Sequence, residues 1–140
     1  MTAAVPSNYE ILALAWQRLD GDTGLKSLLG GDGHVWNHVP QDLALPAVRV
    51  RWGNVSEWDT KTSNGLDGTL TVDIWTSSYG DKLMLRIADR IEAIMHGQPL
   101  TGMTTGQSLL LRHTRPLMTT VEPDGLTHHG VMQYHHIATN

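Results

Sequence analysis

The strongest constraint on the fold is a pair of segments in which apolar and polar residues alternate. The first covers residues 47–52 and the second residues 66–76. The apolar positions are Val48, Val50, Trp52, Leu70, Val72 and Ile74. A period of two predicts strands that bury one face and leave the other polar. Residues 53–65 between them are polar and rich in turn formers, which predicts a long β-hairpin arm.

The segment before these strands predicts a helix. Ser7 and Glu10 have the spacing of a capping box, with Ser7 as the N-cap. The apolar residues behind them recur at helical spacing: Ile11, Leu12, Ala15, Trp16 and Leu19. Gly21 ends this helix, and a short helical turn over residues 25–29 follows, closed by Gly30 and Gly31.

The segment after these strands predicts a second helix, over residues 81–96. Its apolar face consists of Leu83, Ile87, Ile91, Ile94 and Met95, widened by Met84 and Ala88. Its solvent side consists of Arg86, Asp89, Arg90 and Glu92. Gly97 and Pro99 end the helix.

The rest of the chain predicts further strands. Residues 34–39 form a short strand, and residues 108–113 and 130–137 form a final hairpin. The turn signal between the last two strands is Pro123, Asp124 and Gly125. Pro116, in the extension of the first of them, predicts a kink or an edge position there. The order of elements predicts an α+β domain: a mostly antiparallel sheet, two main helices on one face and a protruding hairpin arm.

Composition limits the function classes. The 140 residues suit one domain, 1–140, with a core over about 8–138. A net charge of −4 with no run of Lys or Arg argues against a general nucleic-acid binder. The absence of cysteine excludes disulfides and thiolate chemistry. Residues 1–6 lack the features of a signal peptide, and no apolar run approaches a membrane span. We therefore expect a protein that folds in a cytoplasm.

The sequence contains no pattern that predicts a catalytic, cofactor-binding or metal site. The pair His34 and His38 is four residues apart in a segment that is not helical. Neighbouring histidines on a strand point to opposite faces, so two adjacent histidines cannot bind the same metal ion. A cross-strand cluster such as His128 with His136 stays open. The glycines around residue 31 precede a strand and not a helix, so they lack the basis for binding phosphate.

The tryptophans carry more information. Trp16 and Trp52 fall on predicted core faces. Trp58 lies in the polar arm between two acidic residues, and large exposed aromatic residues are enriched at interfaces. Two interpretations stay open for it: an interface residue, or a side chain folded back on its own sheet. Trp75 is a second, weaker interface candidate.

Several motifs resemble, in order and spacing, the tail-completion (tail-terminator) family of long-tailed bacteriophages and gene transfer agents. They are Val39-Pro40-Gln41-Asp42, Leu45-Pro46, Trp58-Asp59-Thr60-Lys61-Thr62, the run 70–75, the helical residues Ile87, Ala88, Asp89 and Ile91, and the run 122–131. The resemblance spans residues 9 to 137. Family members usually carry Arg where His128, His129 and His135 stand, and more aromatic residues where this chain has Met132 and Tyr134.

The resemblance implies a structural virion protein with no cofactor and no enzymatic activity. Such proteins form a ring, typically a hexamer, at the head-proximal end of the tail tube, in the neck of the virion. The ring ends tube polymerisation and joins tail to head, so its partners are the tail tube protein and a head-completion or connector protein. DNA passes through the lumen without specific binding. The expected subunit or tube interface is Trp58, Asp59, Thr60, Lys61, Thr62 and Trp75.

Three alternatives stay open at this point. A head-completion or connector protein belongs to the same class of small ring formers and would differ in which partner it binds. A small histidine-dependent metal enzyme would contain stoichiometric zinc or iron. A monomeric binding module would not self-associate at high concentration.

Overall fold

The computed structural model confirms an α+β domain. It describes residues 8–31, 33–37, 45–59, 64–77, 81–98, 100, 107–123 and 127–139. The elements are α1 (Asn8–Asp20), α2 (Thr23–Leu29), β1 (Val35–Trp36), β2 (Ala47–Asp59), β3 (Asn64–Thr76), α3 (Lys82–Met95), β4 (Gln107–Val121) and β5 (His128–Thr139). No helix in these ranges has the length and apolar character needed to cross a membrane.

The strands form one mixed sheet in the order β1-β2-β3-β5-β4. The short β1 pairs with β2 in parallel, and every other pairing is antiparallel. The register aligns residues across four strands, for example Trp52 with Leu70, Tyr134 and His113. Because β5 enters between β3 and β4, the last strand of the chain lies inside the sheet and β4 forms one edge.

The predicted hairpin is β2 with β3. It runs from Ala47 opposite Trp75 to Asp59 opposite Asn64, with a bulge between Trp52 and Val55. Residues 60–63 lie outside the described residues. The hairpin does not extend alone, because β5 and β4 accompany it to its outer end. The arm is therefore part of a four-stranded extension of the sheet.

The helices pack on one face of the sheet, and the core lies between the two layers. In α3 the buried residues are Met84, Ile87, Ala88, Ile91 and Met95, while Leu83 and Ile94 are partly buried. Burying a Met or Ile side chain stabilises a fold by about 1.5–3 kcal/mol. A Cβ at Gly130 would lie 2.6 Å from the sulfur of Met84. Glycine at this position lets α3 approach β5 closely.

Two residues assigned to the solvent side of α3 instead form bonds to the rest of the domain. Glu92 accepts a hydrogen bond of 2.8 Å from the buried hydroxyl of Tyr134. Burial, followed by this bond, raises the pKa of Tyr134. Arg90 donates two bonds of 2.7 Å to Asp22, which also caps α2 by accepting from Leu25 N–H at 2.8 Å. These contacts tie α3 to both α2 and β5.

Asp22 carries both a helix cap and an ion pair. The hydrogen bond from Arg90 is the largest cause that lowers the pKa of Asp22. The carboxylate also sits at the N-terminus of α2, where negative charge is favourable. The short helix is thus stabilised mainly by its contacts with α3, because an isolated helix of seven residues would not persist in water.

The ends of the elements agree with several local predictions. Gly21 follows α1 and donates to the carbonyl of Gln17 at 2.8 Å, while the predicted N-cap Ser7 lies outside the described residues. Gly30 ends α2 with a φ of 90°, a left-handed conformation that favours glycine. Pro116 lies on the edge strand β4 within a register shift between Arg115 and Met118, which confirms the edge prediction.

Candidate interface surfaces

The face of the sheet opposite the helices is built around a buried carboxylate. The side chain of Asp73 on β3 is fully buried, although the sequence pattern assigned it to the polar face. Arg49 donates to Asp73 Oδ2 through Nε and Nη2 at 3.1 and 2.9 Å, and Arg51 Nε donates at 2.8 Å. The Nε2 atom of His129 lies 3.0 Å from Asp73 Oδ1. The carboxylate is thus enclosed by residues from β2 and β5.

The electrostatics of Asp73 follow from these contacts. Burial alone would raise the pKa of its carboxyl group, and this is the largest single influence. The hydrogen bonds from His129, Arg49 and Arg51 together outweigh burial, so the pKa of Asp73 is lowered. The charged form is therefore the stable one in the fold.

Trp75, one of the predicted interface residues, lies beside this cluster. Its ring stacks on His129 with 4.7 Å between centroids and 12° between planes. The guanidinium carbon of Arg49 lies 5.0 Å from the Trp75 ring centroid, a cation–π distance. A strand on each side of β3 thus supplies one contact to the indole. Trp75 is partly exposed and held in place, which suits a rigid surface for a partner.

The chemistry available to His129 is limited by its neighbours. Its Nε2 atom faces Asp73, and its Nδ1 atom lies 3.4 Å from Glu122 Oε1. With both ring nitrogens facing carboxylates, neither is directed at a group that it could activate as a nucleophile. The residues around Asp73 therefore form an ordered polar surface.

The structure also decides the histidine arrangement that the sequence left open. His128 and His136 both lie on β5, eight residues apart, which separates them by about 26 Å along the strand. The possibility of a cross-strand cluster of these two residues was therefore wrong, because they share one strand. Among the described residues, no group of three or more His, Cys, Asp or Glu could hold a metal ion.

Two of the other predicted interface residues, Trp58 and Asp59, lie at the far end of the hairpin. Trp58 is opposite Gly65 and Asp59 is opposite Asn64, at the outer end of β2. Thr60, Lys61 and Thr62 fall outside the described residues. Trp75 is ten residues from Gly65 along β3, about 33 Å away. The candidates thus form two separate regions of the hairpin.

Sequence reasoning missed the exposed apolar surface near both edges of the sheet. On the edge strand β4, Met118 is 55% exposed and Val121 is 56% exposed. Near the opposite edge, Tyr9 is 78% exposed. It lines a groove of about 170 Å³ with Leu12, Ala13, Trp16 and Asn37. Because edge positions depend on strand order, the alternating pattern could not reveal the exposure of Met118 and Val121.

Comparison with known proteins gives one family and one strong structural likeness. Residues 16–139 match the sequence model of the family described as Tail completion protein gp17. A solved structure titled "Virion of native gene transfer agent (GTA) particle" contains a chain of similar fold: TM-score 0.81, 18% identity, covering 93% of this chain and 95% of that one. A second solved structure has a TM-score of 0.56 at 17% identity, covering 94% and 95%. No curated protein matches the chain in sequence.

Proposed function

The chain belongs to the Tail completion protein gp17 family and is a structural component of a bacteriophage tail, and from this premise we propose that it forms the ring that ends the tail tube. The ring is hexameric and lies at the head-proximal end of the tube. It stops addition of tube protein and provides the surface to which the head-completion or connector protein binds. The role is assembly and not catalysis.

The observation that carries this proposal is the family match over residues 16–139. It begins within α1 and reaches the end of β5, so it includes the whole sheet and α3. A match of this extent concerns the complete fold and not one shared motif. The likeness in fold to a chain of a gene transfer agent virion also supports the proposed role in a virion.

The shape of the domain suits a ring subunit. A closed ring needs head-to-tail contacts, in which two different patches of one copy meet on neighbouring copies. This domain has two different exposed apolar regions near opposite edges of its sheet, around Val121 and around Tyr9. The two regions are candidates for the two halves of such a contact.

The charge of the protein suits passage of DNA. A net charge of −4 repels phosphate, so a lumen bounded by this protein would let DNA pass without binding it tightly. We expect no retention of duplex DNA by the assembled ring at physiological salt, measured by gel shift. Tight binding under these conditions would contradict this part of the proposal.

The outer end of the hairpin is proposed to contact a neighbouring subunit or the tube protein. Residues 58–62 carry this contact, with Trp58 as its aromatic centre. Trp58→Ala is expected to leave the fold intact and to reduce ring or tail assembly. Trp58→Phe, which keeps an aromatic ring, serves as the matched control. Normal assembly of the alanine variant would remove Trp58 from the interface.

The decisive experiment is cryo-electron microscopy of tube protein polymerised with and without this chain. We expect one ring of added density at a single tube end, and tubes that stop growing once capped. In complete particles the same density should lie at the head-proximal end. Density bound only beneath the portal would replace the proposal by a connector role. Absence of any association with tubes or particles would overturn it.

A further inference from the structure

We propose that neighbouring copies join edge to edge, with β4 of one copy pairing antiparallel with the outer half of β2 of the next. The partner on each edge is thus a second copy of this chain. This inference rests on the ring proposed above and specifies the contact that closes it. It follows from the sheet edges and involves residues beyond the hairpin tip.

The sheet has two edges that its own strands leave open. The short β1 covers β2 only at Val48 and Arg49. Beyond it, Asn37 donates one side-chain hydrogen bond of 3.0 Å to the carbonyl of Val50. From residue 51 to residue 59, no strand within the described ranges pairs with the outer edge of β2. On the opposite side, β4 ends the strand order, and β5 is its one partner among the strands that the structure describes.

These two edges lie level with each other across the sheet. Trp52 aligns through β3 and β5 with His113 on β4. Near the outer end, Trp58 aligns in the same way with Gln107. A rotation about an axis roughly parallel to the strands would therefore bring one edge against the other. Each edge then meets a different edge, as a head-to-tail ring requires.

The strand directions also agree. Three successive antiparallel pairings separate β2 from β4, so these two strands run in opposite directions within one copy. When the sheet continues into the next copy, β4 therefore meets β2 in antiparallel orientation. The alternation of strand direction then continues through the joint.

The backbone groups of β2 that point toward its open edge can be identified from the strand register. The N–H of Val48 donates to His34 at 2.8 Å, toward the β1 side. Alternate residues of a strand direct their backbone groups to the same side. The register to β3 extends this alternation past the bulge, and it shows that Val55 and Glu57 direct their backbone N–H and C=O groups to the open edge.

The backbone groups of β4 that point away from β5 follow from its register in the same way. The N–H of Glu122 donates to the carbonyl of Thr127 at 2.8 Å, on the side of β5. Because this direction alternates along β5, the backbone groups of Arg112 bond to β5 opposite His135. The two neighbours of Arg112 therefore direct their backbone groups away from β5, to the open edge. These neighbours are Leu111 and His113.

The charges on the two edges are complementary. Residues 51–59 on β2 contain Glu57, Asp59 and one basic residue, Arg51, whose guanidinium group is bonded to Asp73. Residues 107–115 on β4 contain Arg112 and Arg115 and no acidic residue. Opposite charges favour pairing of the two different edges, and like charges disfavour pairing of either edge with itself.

A second contact lies level with the first, nearer the other end of the sheet. The indole N–H of Trp16 donates to the carbonyl of Val35 at 3.0 Å, which places the groove beside Tyr9 next to β1. Val35 aligns through the sheet with Thr119, between the exposed Met118 and Val121. The same rotation therefore brings Val121, which lies on the helix-bearing face of the sheet, toward an apolar groove on α1.

The edge strand β4 offers a limited segment for pairing with a second copy. It has 15 residues, but Pro116 and the register shift beside it interrupt the edge after Arg115, so residues 107–115 form the segment that can pair with β2. A closed ring of edge-to-edge contacts would cover both edges of every copy. It would also limit the pairing to one defined assembly.

Engineered cysteines test the joint directly, because the native chain has none. Four double variants combine Val55→Cys or Glu57→Cys with Leu111→Cys or His113→Cys. Cβ atoms of directly opposed residues in antiparallel strands lie about 4.5–5.5 Å apart, close to disulfide range. The four combinations sample different registers. Each protein is assembled with tube protein, oxidised and analysed on a non-reducing denaturing gel.

We expect at least one double variant to give a ladder of covalent oligomers that ends at the ring size. The four single-cysteine variants are the matched controls and should stay monomeric, because neither edge meets itself. Cross-linked dimers of a β4 single variant would show that β4 pairs with β4, which overturns the inference. Rings visible by electron microscopy without cross-links in any double variant would also overturn it, and would leave the proposed function standing. Failure to form rings with the native protein would overturn the proposed function itself.

A substitution on the apolar part of the contact provides an independent measurement. Val121→Glu is expected to reduce ring assembly at least tenfold without changing the thermal melting temperature, because Val121 is exposed in the single copy. Ala93→Glu places the same charge on the exposed side of α3 and is the control. Equal assembly by both variants would exclude this part of β4 from the joint.

Discussion

Ile74 and Asp73 are neighbours on β3, and both are fully buried, but on opposite faces of the sheet and by different means. Ile74 packs under the helices within the apolar core. Asp73 lies on the face without helices, where Arg49, Arg51 and His129 enclose it. One face is thus sealed by a second layer of structure, and the other by side chains of the sheet itself.

The difference shows how a thin domain can keep one face available. Arg49 and Arg51 remain 28% and 48% exposed while they bury the carboxylate beneath them. Their guanidinium groups bond to the carboxylate, while part of each side chain stays in contact with water. This face is therefore ordered without a covering helix, and it can meet a partner without prior rearrangement.

The largest expected effect comes from the helix-bearing face. Ile74→Ala should lower the free energy of unfolding by about 2–5 kcal/mol, because it leaves a cavity in a closely packed core. Ile74→Val should cost about 0.5–1.5 kcal/mol. Urea titration followed by tryptophan fluorescence measures both. A loss below about 1 kcal/mol for the alanine variant would show that the core collapses around the site, and that the two faces differ less than their packing indicates.

The same pair of residues shows how far sequence reasoning reaches. The apolar face of β3 and the buried side of α3 were predictable, because strong periodicity assigns a residue to a face. The burial of Asp73 was not, since it depends on which residues of β2 and β5 lie beside it. The exposed edge at Val121 was missed for the same reason: the position of β5 inside the sheet is a long-range feature. The local sequence pattern thus predicts which face of the sheet a side chain occupies, while strand pairing determines which residues lie beside it.

A smaller effect is expected on the helix-free face. Asp73→Asn should lower the free energy of unfolding at pH 7 by about 1–3 kcal/mol, because the charged acceptor of several hydrogen bonds is lost. The effect is limited because Arg49 and Arg51 can turn toward water. Asp89→Asn, at an exposed position on α3, is the control and should change stability by less than about 0.5 kcal/mol. Equal losses in the two variants would mean that the polar enclosure contributes nothing to stability.

The smallest effect is expected when the unfolding measurement on the native protein and Asp73→Asn is repeated at acidic pH. The pKa of Asp73 is lower in the folded protein than its ordinary value of 3.8, as the bonds from His129, Arg49 and Arg51 outweigh burial. A group of this kind contributes stability above its unfolded pKa and loses it as pH falls through its folded pKa. From about pH 5 down to about pH 2.5, the stability gap between the native protein and Asp73→Asn should therefore narrow. The gap between the native protein and Ile74→Val should stay constant over the same range, since no proton is involved. A gap at Asp73 that stayed equally constant would mean that shape, and not charge, holds this face together.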